Sequence, residues 1–284
     1  MSGDSFDPGP DLDPDLDLDA AFDAVAETRP LVHCITNDVT VNDVANVVQY
    51  WGGLPVMADD REDATEMVRG AQALLLNMGT VSATGLETAV ATGEAAMASD
   101  TPIVVDPVGA GATPTRDDAA ARLVTELDPA IISGNHGEIT ALAGGAGEVR
   151  GVESVGEHDD VAASARALAD ATGAVVVASG AVDVVATADR AVEVDVGDPM
   201  LGEFVGTGCM LGATNAVFAG SVGDPTTAAL ASTVAFGRAG ERAAAGAHGD
   251  FEGPASYRVA FLDAVAGLNA DAATTEGERI TERE

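Results

Sequence analysis

The sequence predicts an α/β fold in which helices cover both faces of a mainly parallel central sheet. Short apolar runs alternate with segments of helical periodicity along most of the 284 residues, which is typical of repeated strand–helix–strand units. The apolar runs are continuous and end in polar or glycine-rich turns, as expected of parallel strands that are buried on both faces. The chain is within the length range of one α/β domain and can bury a sizeable core.

The predicted elements follow one another in a regular order. A strand over 30–36 precedes a helix over 41–51, and a second clear helix spans 82–99. The other predicted strands, with the turns that end them, lie within 54–58, 73–79, 101–111, 129–135, 173–180, 182–188 and 191–197, and the closing helices are 209–221, 225–246 and 255–269. The runs 182–188 and 191–197 are spaced like a hairpin.

The two ends of the chain differ from the part between them. Residues 1–18 are rich in Asp and contain three prolines, so we expect an acidic disordered tail. Residues 19–270 are predicted to form a single domain, and residues 271–284 a second acidic tail. No signal peptide and no apolar run of about eighteen residues is present. The two cysteines are far apart and suit a reducing compartment. These features indicate a cytoplasmic protein without a membrane span.

The charge of the chain is strongly one-sided. The net charge is −34, all thirteen basic residues are arginines, and acidic residues are spread over the whole sequence. Such self-repulsion is tolerable when concentrated salt screens it. We therefore expect adaptation to a hypersaline cytoplasm rather than a cationic partner, and the lack of a basic patch disfavours nucleic-acid binding.

Polar residues follow the first predicted strand and the strand near residue 105. Asn37 and its neighbours come after a buried strand, where they could act at a site or simply cap the next helix. Asp106 ends an apolar strand and is followed by a glycine-rich turn. An Asp at this place could hold a hydrated Mg²⁺ ion or could cap an ordinary turn.

The stretch SGNHGEIT at 133–140 allows two interpretations as well. Asn135 and Glu138 have the spacing of a helix capping box, and the same spacing would direct Glu138 toward a metal-bound water or a phosphate. His136 is interpreted as a surface residue, because no base–nucleophile pair is suggested nearby.

The stretch EFVGTGCMLG at 203–212 has the pattern of an anion site. Gly206 and Gly208 flank Thr207, and a helix begins at about Cys209, so backbone N–H groups and the helix dipole would attract a phosphate. We expect these amides to receive charge that develops during phosphoryl transfer. The helix start is also expected to lower the pKa of the Cys209 thiol. A Walker-type loop is excluded because the chain has no lysine, and no early G-x-G-x-x-G is present.

Taken in order, these stretches resemble the hydroxyethylthiazole kinases, a thiamine-salvage family with the ribokinase-like fold. The resemblance runs from about Pro30 to about Asp263 and includes PLVHCITN, GGLPVMA, LLLNMGT, DPVGAGATPTR, GNHGEI, ASGAVDVV, VGTGC and GPASY. It implies a three-layer α/β/α domain and a homotrimer with active sites at subunit interfaces. The implied reaction transfers the γ-phosphoryl group of ATP, with Mg²⁺, to the hydroxyl of 4-methyl-5-(2-hydroxyethyl)thiazole.

The resemblance also implies roles for individual residues on the acceptor side of the site. Asn37, Val39 and Met57 would line the thiazole pocket, with Asn37 reaching into a neighbouring subunit's site. Asp106 and Glu138 would position Mg²⁺ and its waters.

Other roles are implied around the phosphates. Ser133, Asn135 and Ser179 would lie at the ATP site, and Gly206 at the substrate and phosphate site. Cys209 occupies the place where most ribokinase-like kinases carry an Asp base. We expect its sulfur to contribute less than the surrounding amides.

Two departures from the family pattern concern ATP. Ser133 stands where the family usually has an Arg that contacts nucleotide phosphate, and Ala181 stands where it often has Glu. The first departure removes a charge-assisted contact, so ATP binding would depend more on Mg²⁺, backbone amides and a high cation concentration. Three alternatives remain: a hydroxymethylpyrimidine-type kinase, a non-catalytic nucleotide-binding protein and a nicotinamide-dependent dehydrogenase.

Overall fold

The computed structural model describes residues 16–150, 161–273 and 279–283. Within these residues a sheet of nine strands has the order β2-β1-β3-β4-β5-β6-β7-β8-β9. The strands are β1 (Leu31–Ile35), β2 (Leu54–Val56), β3 (Ala73–Asn77), β4 (Ile103–Asp106), β5 (Ile131–Asn135), β6 (Val175–Ser179), β7 (Asp183–Ala186), β8 (Ala191–Val194) and β9 (Ile280–Arg283). Strands β1 to β6 pair in parallel, whereas β7, β8 and β9 add on in antiparallel fashion. The predicted α/β class, the mainly parallel sheet and the β7–β8 hairpin are confirmed.

Helices connect most of these strands. They are α1 (Leu18–Thr28), α2 (Val41–Tyr50), α3 (Arg61–Met67), α4 (Ala83–Met97), α5 (Pro114–Thr125), α6 (His136–Arg150), α7 (Val161–Thr172), α8 (Thr207–Ala219), α9 (Pro225–Ala244), α10 (Pro254–Gly267) and the short α11 (Ala270–Ala273). Across the described ranges, none of the helices combines the length and apolar character that crossing a membrane requires.

The helices form one layer on each face of the sheet. Buried residues of α1, α2, α8, α9 and α10 build one hydrophobic core, and those of α4, α5, α6 and α7 build the other. Successive strand residues alternate between the two cores, as Leu74 and Leu75 of β3 do, because strand side chains point to opposite faces in turn. The three-layer α/β/α arrangement follows from this alternation.

The ends of the chain hold most of the structure that the sequence did not predict. Most of the acidic tail predicted over 1–18 lies outside the described residues, but Leu18 already begins α1, whose N-cap is Asp17. In the tail predicted over 271–284, residues 280–283 form β9, which pairs with β8. Ile280 is buried there, so this part of the predicted tail belongs to the sheet. Residues 274–278 and 284 lie outside the described residues.

Candidate active site

The candidate site lies at the carboxyl ends of the parallel strands, the usual ligand position in open α/β sheets. The sheet register places Asn77 of β3 beside Asp106 of β4 and Asn135 of β5 beside Ser179 of β6. A cavity of about 320 Å³ opens there, and residues that end or follow five of the strands line it together with the start of α8. We call it the strand-end cavity.

A hydrogen-bonded network of buried side chains forms one wall of this cavity. Asn37 Nδ2 lies 2.8 Å from Thr40 Oγ1 and 2.9 Å from Asn77 Oδ1, and it donates to both. Asn37 Oδ1 accepts from the backbone N–H of Val39 and Thr40, so the side chain also closes the turn before α2. Asn77 Nδ2 in turn donates to Asp106 Oδ2. The network therefore links the end of β1 to the carboxylate of Asp106.

Two carboxylates meet at the floor of the cavity. Asp106 is 3% exposed, and both burial and the charge of Glu138 hold its pKa well above the usual range, against the lowering effect of the Asn77 hydrogen bond. No group of three or more His, Cys, Asp or Glu among the described residues could hold a metal ion without help. A pair of carboxylates with substrate phosphates and water is the arrangement that Mg²⁺ usually takes. The donor set of Asp106 and Glu138 therefore fits Mg²⁺.

Glu138 is oriented by backbone amides. Its Oε2 accepts from Asn135 N at 2.8 Å and its Oε1 from Gly109 N at 2.6 Å. Asn135 Oδ1 accepts from Glu138 N at 2.9 Å, so the predicted capping box is confirmed. The capping interpretation and the site interpretation are compatible, because the capped Glu138 lines the strand-end cavity.

The first turn of α8 adjoins the hydrogen-bonded network and forms another part of the cavity wall. Gly206 occupies the N-cap position with a φ of 102°, a left-handed conformation that favours glycine. The amides of Thr207, Gly208 and Cys209 donate to no acceptor within the described part of the chain, as expected for the first turn of a helix. Gly206, Gly208 and Cys209 line the cavity. The predicted anion site therefore lines the same cavity as Asp106 and Glu138.

The pKa of the Cys209 thiol differs from the predicted one. Burial and the charge of Asp106 raise its pKa, although hydrogen bonds from Thr40, Asn77 and Asn37 act in the other direction. The expected lowering of its pKa is therefore wrong, because desolvation and a neighbouring carboxylate act in the opposite direction. Cys209 is a neutral thiol near pH 7, and Asn37 Nδ2 lies 3.5 Å from its sulfur.

A second cavity of about 440 Å³ lies under the β6–β7 hairpin, and we call it the hairpin cavity. It shares Ser179 and Gly208 with the strand-end cavity, so the two adjoin. Its walls are largely apolar, and they include Leu201, Leu211 and Phe236. Thr207 faces this cavity rather than the first one. No Arg appears among the described residues that line either cavity.

The predicted thiazole-pocket residues are only partly brought together. Asn37 lies in the cavity of its own chain, buried and hydrogen-bonded to Thr40, Asn77 and Cys209. The predicted reach of Asn37 into a neighbouring subunit's site stays a prediction. Val39 is 75% exposed at the rim, whereas Met57 follows the edge strand β2 and does not line the cavity.

The residues predicted on the phosphate side lie together in one cavity. Ser133, Asn135 and Ser179 all line the strand-end cavity. His136, predicted as a surface residue, is half-buried, and its Nε2 lies 3.1 Å from Val182 O beneath the hairpin.

Three residues of the site were not singled out from the sequence. Asn77 ends the apolar run ALLLNMG, and a polar residue at a strand end was the available signal. Asp183 lines the hairpin cavity and accepts from Gly180 N at 2.9 Å. Arg116 contacts the loops that follow β3 and β4. Nothing local in the sequence indicates the roles of Asp183 and Arg116, because their partners are backbone groups.

Comparisons with known proteins identify the family of this chain. The sequence model of the hydroxyethylthiazole kinase family matches residues 22–271. The hydroxyethylthiazole kinase of Haloquadratum walsbyi is 59% identical over 87% of this chain and 86% of its own length, and that of Natronomonas pharaonis is 54% identical over 92% and 94%.

Solved structures of similar chains indicate the same family and the same fold. The structure of the hydroxyethylthiazole kinase protein from Pyrococcus horikoshii OT3 has a TM-score of 0.83 at 34% identity and covers 94% of this chain and 99% of its own. An ADP complex of Bacillus subtilis pyridoxal kinase, at 15% identity and a TM-score of 0.54 over 74% and 90% of the two chains, shares the fold.

Proposed function

The chain belongs to the hydroxyethylthiazole kinase family, and we propose that its strand-end cavity is the place where it performs the family's reaction. It is a kinase that transfers a phosphoryl group from ATP to the hydroxyl of 4-methyl-5-(2-hydroxyethyl)thiazole. One observation carries the assignment of the site: two carboxylates and the free amides of α8 line the same cavity.

The two substrates would occupy the two adjoining cavities. The apolar walls of the hairpin cavity suit the base of a nucleotide, and Ser179 and Gly208 lie where its phosphates would enter the strand-end cavity. The thiazole ring would contact the apolar rim formed by Val39, Val108 and Val205. This placement brings the hydroxyl of the acceptor and the γ-phosphate to the same point above Cys209.

Asp106 and Glu138 would hold Mg²⁺. The ion supplies charge neutralisation of the β- and γ-phosphate oxygens when it is bound. The amides of Asn135 and Gly109 keep Glu138 oriented, and Asn77 orients Asp106. These hydrogen bonds preorganise the carboxylates before substrates bind, which lowers the reorganisation needed at the transition state.

The chain's own contribution to the reaction is positioning and charge stabilisation. The acceptor oxygen forms a bond to the γ-phosphorus while the bond to the bridging oxygen of ADP breaks, and the amides of Gly208 and Cys209, which line the strand-end cavity, donate to the transferred group. Because this transition state is loose, the acceptor hydroxyl loses its proton late, to an oxygen of the transferred phosphoryl group and from there to water. Cys209 remains a neutral thiol and acts as a weak hydrogen-bonding contact rather than as a nucleophile.

A homotrimer with active sites at subunit interfaces would complete the cavity. Val39 and Val205 at the rim are 75% and 73% exposed, which is unusual for apolar residues beside a polar site. Met57 lies outside its own chain's cavity, and we assign it to the site of a neighbouring copy. Sedimentation in concentrated salt tests this assembly: a trimer is expected, and a stable monomer with full activity would contradict it.

The solution conditions follow from the charge. A chain with net charge −34 and no Arg at the described walls of its nucleotide site binds a polyanion poorly in dilute buffer. We assign the enzyme to a salt-rich cytoplasm that contains ATP. Cations there screen the repulsion between the protein and ATP, and Ser133 leaves the phosphates to Mg²⁺ and backbone amides.

The test is a phosphorylation assay in molar KCl with ATP and Mg²⁺. The thiazole alcohol and the corresponding hydroxymethylpyrimidine are supplied side by side, and products are identified by mass. We expect one thiazole phosphate per ADP and little pyrimidine product. Preferred phosphorylation of the pyrimidine would show a different kinase, and ATP binding without any product would show a nucleotide-binding protein.

A further inference from the structure

Arg116 joins two loops that flank the candidate active site. Its Nη1 donates to Val108 O at 2.6 Å and lies 3.4 Å from Met78 O, and its Nη2 donates to Gly79 O at 3.0 Å. Met78 and Gly79 follow β3, and Val108 follows β4. One guanidinium therefore connects the loops that leave two neighbouring strands.

Neither ion pairing nor the helix dipole explains why an arginine stands at position 116. The residue makes no salt bridge with any carboxylate of the described chain, although the sequence contains 47 acidic residues. It lies in the first turn of α5, where the helix dipole disfavours a cation. Arg122 on the same helix pairs with Glu87 and Glu126 instead. The three carbonyl contacts are therefore the feature that distinguishes Arg116.

The contact with the β4–α5 loop leads to Glu138. Gly109 has a φ of 78°, and a Cβ atom there would lie 3.0 Å from Cδ and Nη1 of Arg116. The guanidinium thus packs directly against the turn whose Gly109 N–H donates to Glu138 Oε1 at 2.6 Å. Holding Val108 O fixes the direction of the next amide, because the two groups belong to the same peptide unit.

The contact with the β3–α4 loop leads to Asn37. A Cβ atom at Gly79 would lie 2.7 Å from Asn37 Nδ2, so the Gly79 backbone packs against that side chain. Gly79 N also donates to Asn77 Oδ1 at 3.0 Å. The carbonyl of the same residue is held by Arg116. A shift of this loop would therefore move the side-chain amides of Asn37 and Asn77, which belong to the buried network.

We propose that Arg116 is a positioning residue for phosphoryl transfer: it clamps the β3–α4 and β4–α5 loops so that Glu138 and Asn37 keep their orientation. It touches no substrate, since it does not line either cavity. The inference rests on the proposed role of the strand-end cavity. A planar group with a fixed fork of donors suits three carbonyls, and a single ammonium does not replace it.

The test compares Arg116→Ala and Arg116→Lys with Arg122→Ala, a change of another half-buried arginine on the same helix. Hydrogen exchange of the protein without ligands is measured for segments 78–82 and 106–112, and turnover is measured across an Mg²⁺ titration. We expect faster exchange in both segments of Arg116→Ala, a turnover about 10 to 100 times lower, and a higher half-saturating Mg²⁺ concentration. Arg122→Ala is expected to match the unchanged protein.

Chemical rescue separates positioning from general destabilisation. Methylguanidinium added to Arg116→Ala can occupy the vacated space and donate to the same carbonyls, so turnover is expected to rise, whereas methylammonium is expected to have a smaller effect. If Arg116→Ala does not fold, Arg116→Lys carries the comparison, with partial loss of turnover expected. Unchanged exchange and turnover in the Arg116 variants would overturn the inference. Full activity of Glu138→Gln would instead overturn the proposed site itself.

Discussion

Replacement of Cys209 by Ala is expected to reduce turnover only modestly. The thiol is neutral near pH 7, because burial and Asp106 raise its pKa, so it provides little base catalysis. A positioned general base typically contributes about 10²–10⁴-fold, and we expect a loss of less than about tenfold here, or about 1.4 kcal/mol in the barrier. The loss of one sulfur from a cavity wall is expected to lower the unfolding free energy by about 1 kcal/mol.

The assay is steady-state kinetics with the thiazole alcohol in concentrated salt, with Cys209→Asp as the matched variant. A carboxylate at the helix start is a better proton acceptor than a neutral thiol, so Cys209→Asp is expected to keep or raise turnover despite its closeness to Asp106. The reasoning would be refuted if Cys209→Ala were completely inactive while it remained folded and still bound ATP. That result would indicate an essential nucleophile and a covalent phosphocysteine.

Three further changes probe the surroundings of the site. Gly206→Ala introduces a Cβ 2.9 Å from Thr40 Cγ2 at a φ of 102°, so the turn must shift and turnover should fall about 10²–10³-fold, as on loss of an oxyanion donor; steady-state kinetics check this. Burial raises the pKa of Asp183 to about 7, from about 3.9. Because the folded state then binds the proton more tightly, Asp183 lowers stability as the pH rises from about 4 to about 7. Asp183→Asn should therefore be more stable by about 1–2 kcal/mol at pH 8 and gain nothing near pH 4, as thermal unfolding across pH can show. Ser133→Arg should lower the KM for ATP, most strongly at low salt, because it adds a charge-assisted phosphate contact.

The fold was largely predictable because local patterns and tertiary structure agree. Fully buried parallel strands such as β3 appear as continuous apolar runs, and the Ala-rich α9 is helical by both propensity and packing. Strand β9 is the exception. Two of its four residues are charged, and it is stabilised by pairing with β8 and by the Arg283–Glu193 and Arg190–Glu282 ion pairs. Because these contacts join residues far apart in the chain, the residues of β9 alone do not indicate a strand.

The site was predictable where polar residues stand at the ends of predicted strands. Asp106 and Glu138 could be singled out because each follows or caps a regular element. The pKa of Cys209 could not be predicted from the sequence. The burial of its thiol and its distance from Asp106 are set by the three-dimensional structure. Arg116 was missed for a related reason: its partners are carbonyl oxygens, which every residue has. Met57 shows the remaining limit, because a single chain does not bring it to the cavity.

The most direct test of the central claim is the turnover of Asp106→Asn at saturating ATP, thiazole alcohol and Mg²⁺, with the unfolding temperature as control. Burial and Glu138 disfavour the ionised carboxylate of Asp106 in the folded protein, so removal of its charge should leave the unfolding temperature unchanged or higher. We predict a turnover at least about 100 times below that of the unchanged protein. Turnover close to that of the unchanged protein would contradict the assignment of phosphoryl transfer to this cavity.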